Sequence, residues 1–152
     1  MTAPTATEPL SKARLRLWLK LLKATGGIEA EVRRRLRDEF GSTLPRFDVL
    51  SALARHPDGL KMSEISALLR VSNGNVTGIV ERLVEDRLAQ RVAVPGDKRA
   101  QRVRLTPLGR TTFAEHAAIH EAWIDDLLGR VDAPTVAALS RALDHLTPNE
   151  RR

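Results

Sequence analysis

Two short stretches of alternating residues, RVAV (91–94) and RVRL (102–105), break a chain whose other apolar residues recur at three- and four-residue intervals. Alternation puts successive side chains on opposite faces and is the signature of a strand. Between the two lies PGDKRAQ, in which Pro95-Gly96 supplies turn chemistry. The pair reads as a β-hairpin with a basic tip, which limits the chain to a mainly α fold with little β structure.

The helical stretches follow in order around that hairpin. A first helix is expected from about Leu10 to Phe40. Within LRLWLKLL (15–22) the apolar residues fan across roughly 200° at about 100° per residue, wider than the stripe a surface helix needs. That segment is expected to be buried on two sides. Gly26-Gly27 should kink or interrupt the helix, and Ile28, Val32, Leu36 and Phe40 continue a narrower stripe. Gly41 is expected to stop it, and Thr43 before Leu44-Pro45 to start the next.

FDVLSALAR (47–55) has helical spacing, HPDG (56–59) is a turn by composition, and residues 60–62 suit a short strand. Ser63 is expected to cap a brief helix carrying Ile65, Leu68 and Leu69. VSNGNVTGIVERL (71–83) then turns Val76, Ile79, Val80 and Leu83 inward, yet keeps Gly78 inside the helix. An interior glycine costs roughly 1 kcal/mol relative to alanine.

Beyond the hairpin, Thr106 ahead of Pro107 is a side-chain cap followed by proline at the first helical position. The helix it starts should reach about Leu128, and Asp132 with Pro134 begins a last one bearing Val136, Leu139, Leu143 and Leu146. Helix–turn–helix followed at once by a basic hairpin is a winged helix-turn-helix arrangement. The long flanking helices carry more apolar surface than one small domain can cover.

Composition narrows the function. At 152 residues and 42% apolar content the chain suits one compact domain with a real core. No apolar run approaches about 18 residues, and MTAPTATEPLSKARL has no apolar signal core, so neither a membrane span nor a secretory signal is expected. Residues 1–9 read as a short disordered lead. There is no cysteine, which removes disulfides, thiolate catalysis, cysteine–zinc sites and thiol redox sensing together. These features point to a soluble cytoplasmic protein.

Charge is distributed unevenly. The net charge is +6. Between residues 87 and 104, Arg87, Arg91, Lys98, Arg99, Arg102 and Arg104 face one acid, Asp97. From 111 to 150 acids dominate, against Arg130 and Arg141. A basic middle suits either a polyanion-binding surface or a solvated charged face.

The motifs favour the first. With the apolar row of 71–83 inward, Asn73, Asn75, Thr77, Gly78 and Arg82 fall on or near the outward side. Asparagine can pair two hydrogen bonds with an adenine edge, and a threonine methyl can meet a thymine methyl. Glycine at 74 and 78 would leave clearance for DNA, and small residues at a helix start let backbone N–H groups approach phosphates. The same residues also fit a plain polar helix start capped by Ser72. The hairpin shifts that balance, because Lys98 and Arg99 at a turn tip suit insertion into a minor groove. Asp97 could hold Arg99 extended by ion pairing.

The stretch 47–110, FDVLSALARHPDGLKMSEISALLRVSNGNVTGIVERLVEDRLAQRVAVPGDKRAQRVRLTPLGR, resembles the core of the multiple antibiotic resistance regulator (MarR) family. VSNGNVTGIVERL and DKRAQRVRLTPLGR together carry the likeness, which continues through the long C-terminal helix. It implies a homodimeric bacterial transcription factor, usually a repressor, and neither an enzyme nor a cofactor. The chain then divides into the lead at 1–9, an N-terminal dimerisation helix at 10–45, a winged lobe at 46–106 and C-terminal dimerisation helices at 107–152.

By position, the resemblance sets Ser72, Asn73, Asn75 and Thr77 at the major groove of double-stranded DNA. Arg99 matches the family's wing arginine and Asp97 its supporting acid. Lys98 stands where arginine is common, a departure that keeps the charge. Ser63, Arg82 and Arg102 complete the DNA-facing set. Two such helices related by a dyad should read a pseudo-palindromic operator with half-sites about one helical turn apart.

Family members often respond to small phenolic or aromatic carboxylate ligands, and some to aromatic acyl thioesters, near the junction of dimer and winged lobe. Trp18, Phe47, Phe113, His116 and Trp123 could contribute to such a pocket, with Arg14 or Arg46 meeting a carboxylate. For each of these residues, core, interface or surface packing is the more usual role. A rival chemistry lies in EHAAIHE (115–121), where His116 and His120 stand one helical turn apart and could bind a metal as a switch or in an enzyme. The glutamate that follows the first histidine in metalloprotease helices is missing. A regulator without any effector is the third reading.

Overall fold

The computed structural model describes residues 8–69 and 73–146. In chain order the elements are α1 (Leu10–Phe40), α2 (Leu44–Ala54), β1 (Leu60–Lys61), α3 (Met62–Leu69), α4 (Asn73–Glu85), β2 (Ala89–Val94), β3 (Asp97–Leu105), α5 (Pro107–Leu127) and α6 (Ala133–Leu146). The fold is mainly α with a small antiparallel sheet, as the sequence leads one to expect. The hairpin is joined by β1 in the order β1-β3-β2. Seven residues of the expected lead at 1–9 lie outside the described residues; Glu8 and Pro9 directly precede α1.

Two compact units divide the chain, Met1–Ala117 and Ala118–Arg152. The first contains the winged lobe. Its core gathers Val49, Leu50, Ala52 and Leu53 of α2, Leu60 of β1, Ile65 of α3, Val76, Val80 and Leu83 of α4, and Ala89, Val103 and Leu105 of the sheet. Burying one such leucine or valine contributes about 1.5–3 kcal/mol. The i, i+4, i+7 row on α4 and the alternation on β3 therefore fix which side of each element faces inward. Phe47 and Phe113 pack against one another with ring centroids 5.4 Å apart.

Helix starts follow side-chain chemistry at both ends of this lobe. Thr43 caps α2 by accepting from Arg46 N–H at 3.3 Å, with proline in the first turn. Thr106 caps α5 by accepting from Gly109 N–H at 2.9 Å. The expected cap at Ser63 does not form in that way. The helix begins one residue earlier, at Met62, so Ser63 lies inside its first turn. There Glu64 Oε1 accepts the Lys61 N–H at 2.9 Å and satisfies a donor ahead of the helix.

α1 departs from expectation twice. It is helical without a break through Gly26-Gly27, so the glycine pair does not interrupt it, and it ends at Gly41 in the left-handed conformation. Only its second half joins the core, through Val32 and Leu36. Leu15, Leu17, Trp18, Leu19 and Leu22 are exposed, Trp18 at 54%, so the burial on two sides expected for 15–22 is not met within one chain. Downstream of the glycines the surface of α1 is laced by ion pairs: Arg33–Glu29, Arg34–Glu31, Arg35–Glu31 and Arg34–Asp38. Hydrogen bonds from Arg34 and then Arg35 lower the Glu31 carboxyl from 4.5 to about 2.

In the second unit, Asp132 Oδ1 accepts the Thr135 N–H at 3.0 Å and starts α6. Hydrogen bonding from the Thr135 side chain, and then from this N–H, lowers the Asp132 pKa. Trp123 is buried, whereas Leu128, Val136, Leu139, Leu143 and Leu146 are exposed. No helix among the described residues is long and apolar enough to cross a membrane.

Candidate nucleic-acid interface

α4 carries two unlike surfaces. Val76, Val80 and Leu83 are fully buried, while Gly74, Asn75, Thr77, Gly78 and Arg82 are exposed. Glu81 and Glu85 are exposed further along, so the uncharged polar surface is confined to the first half of the helix. A Cβ at Gly74 or Gly78 would meet nothing within 4 Å. Packing inside the chain therefore does not require glycine at either position, and the cost of Gly78 needs a reason outside the fold. Asn73 is the first residue of α4, and Ser72 lies outside the described residues.

The wing is shaped by a turn and a bulge. Pro95-Gly96 joins the strands, with Gly96 at φ 83°, as the third residue of a type II turn requires. Val94 pairs with Asp97, but Ala93 pairs with Gln101, so Lys98, Arg99 and Ala100 bulge without partners on β2. A bulge breaks the ladder and re-aims side chains. Arg99 is exposed at its centre, and Asp97 Oδ1 accepts the Arg99 backbone N–H at 3.0 Å. The expected ion pair is thus replaced by a main-chain bond, because a carboxylate two residues earlier reaches the N–H of its own turn.

The remaining DNA-facing candidates are spread out. Ser63 is exposed in the first turn of α3. Arg102 is half-buried in β3, opposite Val92 and Lys61, with its Nε shielded and without a hydrogen-bond partner.

Of the ligand candidates, two meet at one cleft of about 440 Å³ in the first unit. Arg46 and His116 line it together with Phe40, Arg82, Asp86 and Thr112. His116 stacks on Phe40 with centroids 3.9 Å apart and planes 7° from parallel. Burial lowers the His116 pKa, with Arg46 adding to the effect against Glu115. Arg46 Nη2 donates to Asp86 Oδ2 at 2.6 Å, tying the start of α2 to the segment after α4. Phe47 and Phe113 instead pack against each other, Arg14 and Trp18 lie exposed on α1, and Trp123 belongs to the second unit.

The metal alternative finds no cluster. Among the described residues no group of three or more His, Cys, Asp or Glu side chains could hold a metal ion. His120 meets Trp123 edge-on at 6.4 Å, while His116 is taken by Phe40.

Sequence reasoning missed Phe40, Asp86 and the contacts of Thr106 with Arg87. Arg46 and Asp86 are 40 residues apart, beyond the reach of any local spacing rule.

A helix pair packed on a small antiparallel sheet, with α4 half exposed and a bulged basic hairpin after it, defines a winged helix-turn-helix protein. Residues 40–100 match the MarR family. The chain is 34% identical to a MarR family transcriptional regulator from Silicibacter pomeroyi, over 92% of this chain and 96% of that one, with a TM-score of 0.75. It therefore belongs to the MarR family and is a DNA-binding transcriptional regulator, not an enzyme. It is also similar to the HTH-type transcriptional regulator YsmB of Bacillus subtilis (strain 168), 23% identical over 88% of this chain and 90% of that protein. The fold is shared with Sco3205 of Streptomyces coelicolor, solved in complex with DNA, at 20% identity and a TM-score of 0.77 over 96% of this chain and 91% of that one.

Proposed function

We propose that the protein is a homodimeric repressor that reads a pseudo-palindromic operator in duplex DNA and is released by a small aromatic carboxylate or acyl thioester. The carrying observation is the first half of α4, where exposed glycine, amide and hydroxyl groups sit on a fully buried apolar row and, among the described residues, a Cβ at either glycine would meet nothing within 4 Å. Asn75 and Thr77, with Ser72 and Asn73 before them, read base edges in the major groove. Lys98 and Arg99 enter the minor groove, and Arg82, Arg102 and Ser63 serve the backbone. Sco3205 lends support as a DNA-bound protein of the same fold.

Dimerisation uses the segments 10–45 and 107–152. The exposed apolar residues of α1 and α6 support this, because monomeric proteins rarely leave such rows in water. The regulator acts at the nucleoid, in the cytoplasm.

The cleft beside Arg46 and His116 is the effector site. It offers a guanidinium for a carboxylate and the Phe40–His116 stack for an aromatic ring. Arg46 is already paired with Asp86, so an incoming carboxylate competes with that pair. Binding favours a dimer whose lobe spacing mismatches successive major grooves, to the extent that affinity differs between the two states.

Selecting bound fragments from the source genome tests the reading. A dyad-symmetric site should be recovered, with affinity falling steeply as salt rises, because phosphate contacts release counterions. No enrichment, or affinity indifferent to salt, would contradict it. The genes beside the site would indicate the ligand class.

A further inference from the structure

The end of α4 and the start of α5 are joined through one threonine. Arg87, just past α4, takes φ 61°, a left-handed conformation that residues other than glycine seldom adopt. It closes the helix with Arg87 N–H donating to Val84 O at 3.0 Å and Leu88 N–H to Leu83 O at 2.9 Å. These are the two bonds of a Schellman end, where glycine is the usual residue. Arginine has no preference of its own for this corner, so its surroundings must hold it.

Thr106 holds it from the α5 side. Its Oγ1 donates to Arg87 O at 2.6 Å, and its N–H donates to Leu88 O at 3.0 Å. The same Oγ1 accepts from Gly109 N–H and so caps α5. Gly109 makes the fit possible, since a Cβ there would stand 1.9 Å from Leu88 O. The hydroxyl thus acts in both directions, as acceptor for one helix start and donor to the other helix end.

Resting on the reading of α4 as the DNA-reading helix, we propose that Thr106 is a positioning residue for operator recognition. Its bond to Arg87 O fixes the corner and with it the pitch at which α4 is presented. The helix has 13 residues and is about 20 Å long. A tilt of about 5° at its far end would move its start by nearly ~2 Å, enough to break base-edge hydrogen bonds. Long phosphate-binding side chains follow such a shift more easily, so specific binding suffers more than non-specific binding.

The test compares affinity for the duplex most enriched by the wild-type protein from a randomised library with affinity for its scrambled counterpart. Thr106→Asp keeps an acceptor for the α5 cap but cannot donate to Arg87 O. It should lower the selected-to-scrambled ratio about tenfold with the helical content retained, and Thr106→Ser should stay within about twofold of wild type. The added charge alone would weaken both duplexes alike; an unchanged ratio in the folded variant overturns the proposal. Should circular dichroism show Thr106→Asp unfolded, Thr106→Val, which keeps the shape and loses the hydroxyl, carries the comparison with the same expectation. Asn75→Ala separates the two levels. If it lowers the ratio and the Thr106 variants do not, the positioning role falls alone; if neither changes the ratio, the reading of α4 falls as well.

Discussion

Asp97 shapes the wing tip from within: its Oδ1 accepts the backbone N–H of Arg99 at 3.0 Å, at the centre of a bulge that β2 does not pair. Arg99 stays exposed, and its guanidinium is not the group that Asp97 Oδ1 binds. Removing it should weaken operator binding by about 1–3 kcal/mol while leaving thermal unfolding unchanged. Fluorescence anisotropy and a melting curve on Arg99→Ala check this. Unchanged affinity would remove the wing from the interface. Asp97→Ala should weaken binding less, by loosening the bulge.

Gly78 offers a trade between stability and binding. A Cβ there meets open space, so Gly78→Ala should stabilise the fold by about 0.5–1 kcal/mol in urea denaturation. The same methyl would stand between α4 and the groove, and binding to the selected duplex should fall. A variant that is more stable and binds equally well would show that the glycine gives no clearance.

The exposed apolar row on α1 should be the dimer contact. Trp18→Asp combined with Leu22→Asp should shift the protein from dimer to monomer in sedimentation at micromolar concentration. Neither residue belongs to the winged-lobe core, so the lobe should stay folded. A persistent dimer would place the interface elsewhere.

Acid should loosen the second half of α1. The folded pKa of Glu31 is lowered from 4.5 to about 2, so its contribution is present above 4.5 and is lost as pH falls toward 2. Glu31→Gln should flatten that acid limb in pH-dependent unfolding. Equal slopes for the two proteins would show that the arginine pairs contribute nothing measurable.

Much of the fold was legible because it is local. Thr43, Thr106 and Asp132 cap as their spacing implies, Pro95-Gly96 turns, and alternation marks the hairpin. Ser63 misled because Glu64 satisfies the donor ahead of α3. The apolar fan of 15–22, expected to be buried on two sides, is exposed instead, because amphipathicity marks an apolar surface without saying what covers it. The candidate site was legible in α4 and at the wing tip. What escaped depends on long sequence separations: Arg46 with Asp86, Phe40 with His116, and the second bond of Thr106 to Arg87.

The most direct measurement is parallel selection from a randomised duplex library by wild-type protein and by Asn75→Ala. Wild type should return a dyad-symmetric motif, and the variant should lose base preference at one matched position in each half while keeping the rest. An identical motif, or uniform weakening with every preference intact, would contradict the assignment of α4 to the major groove.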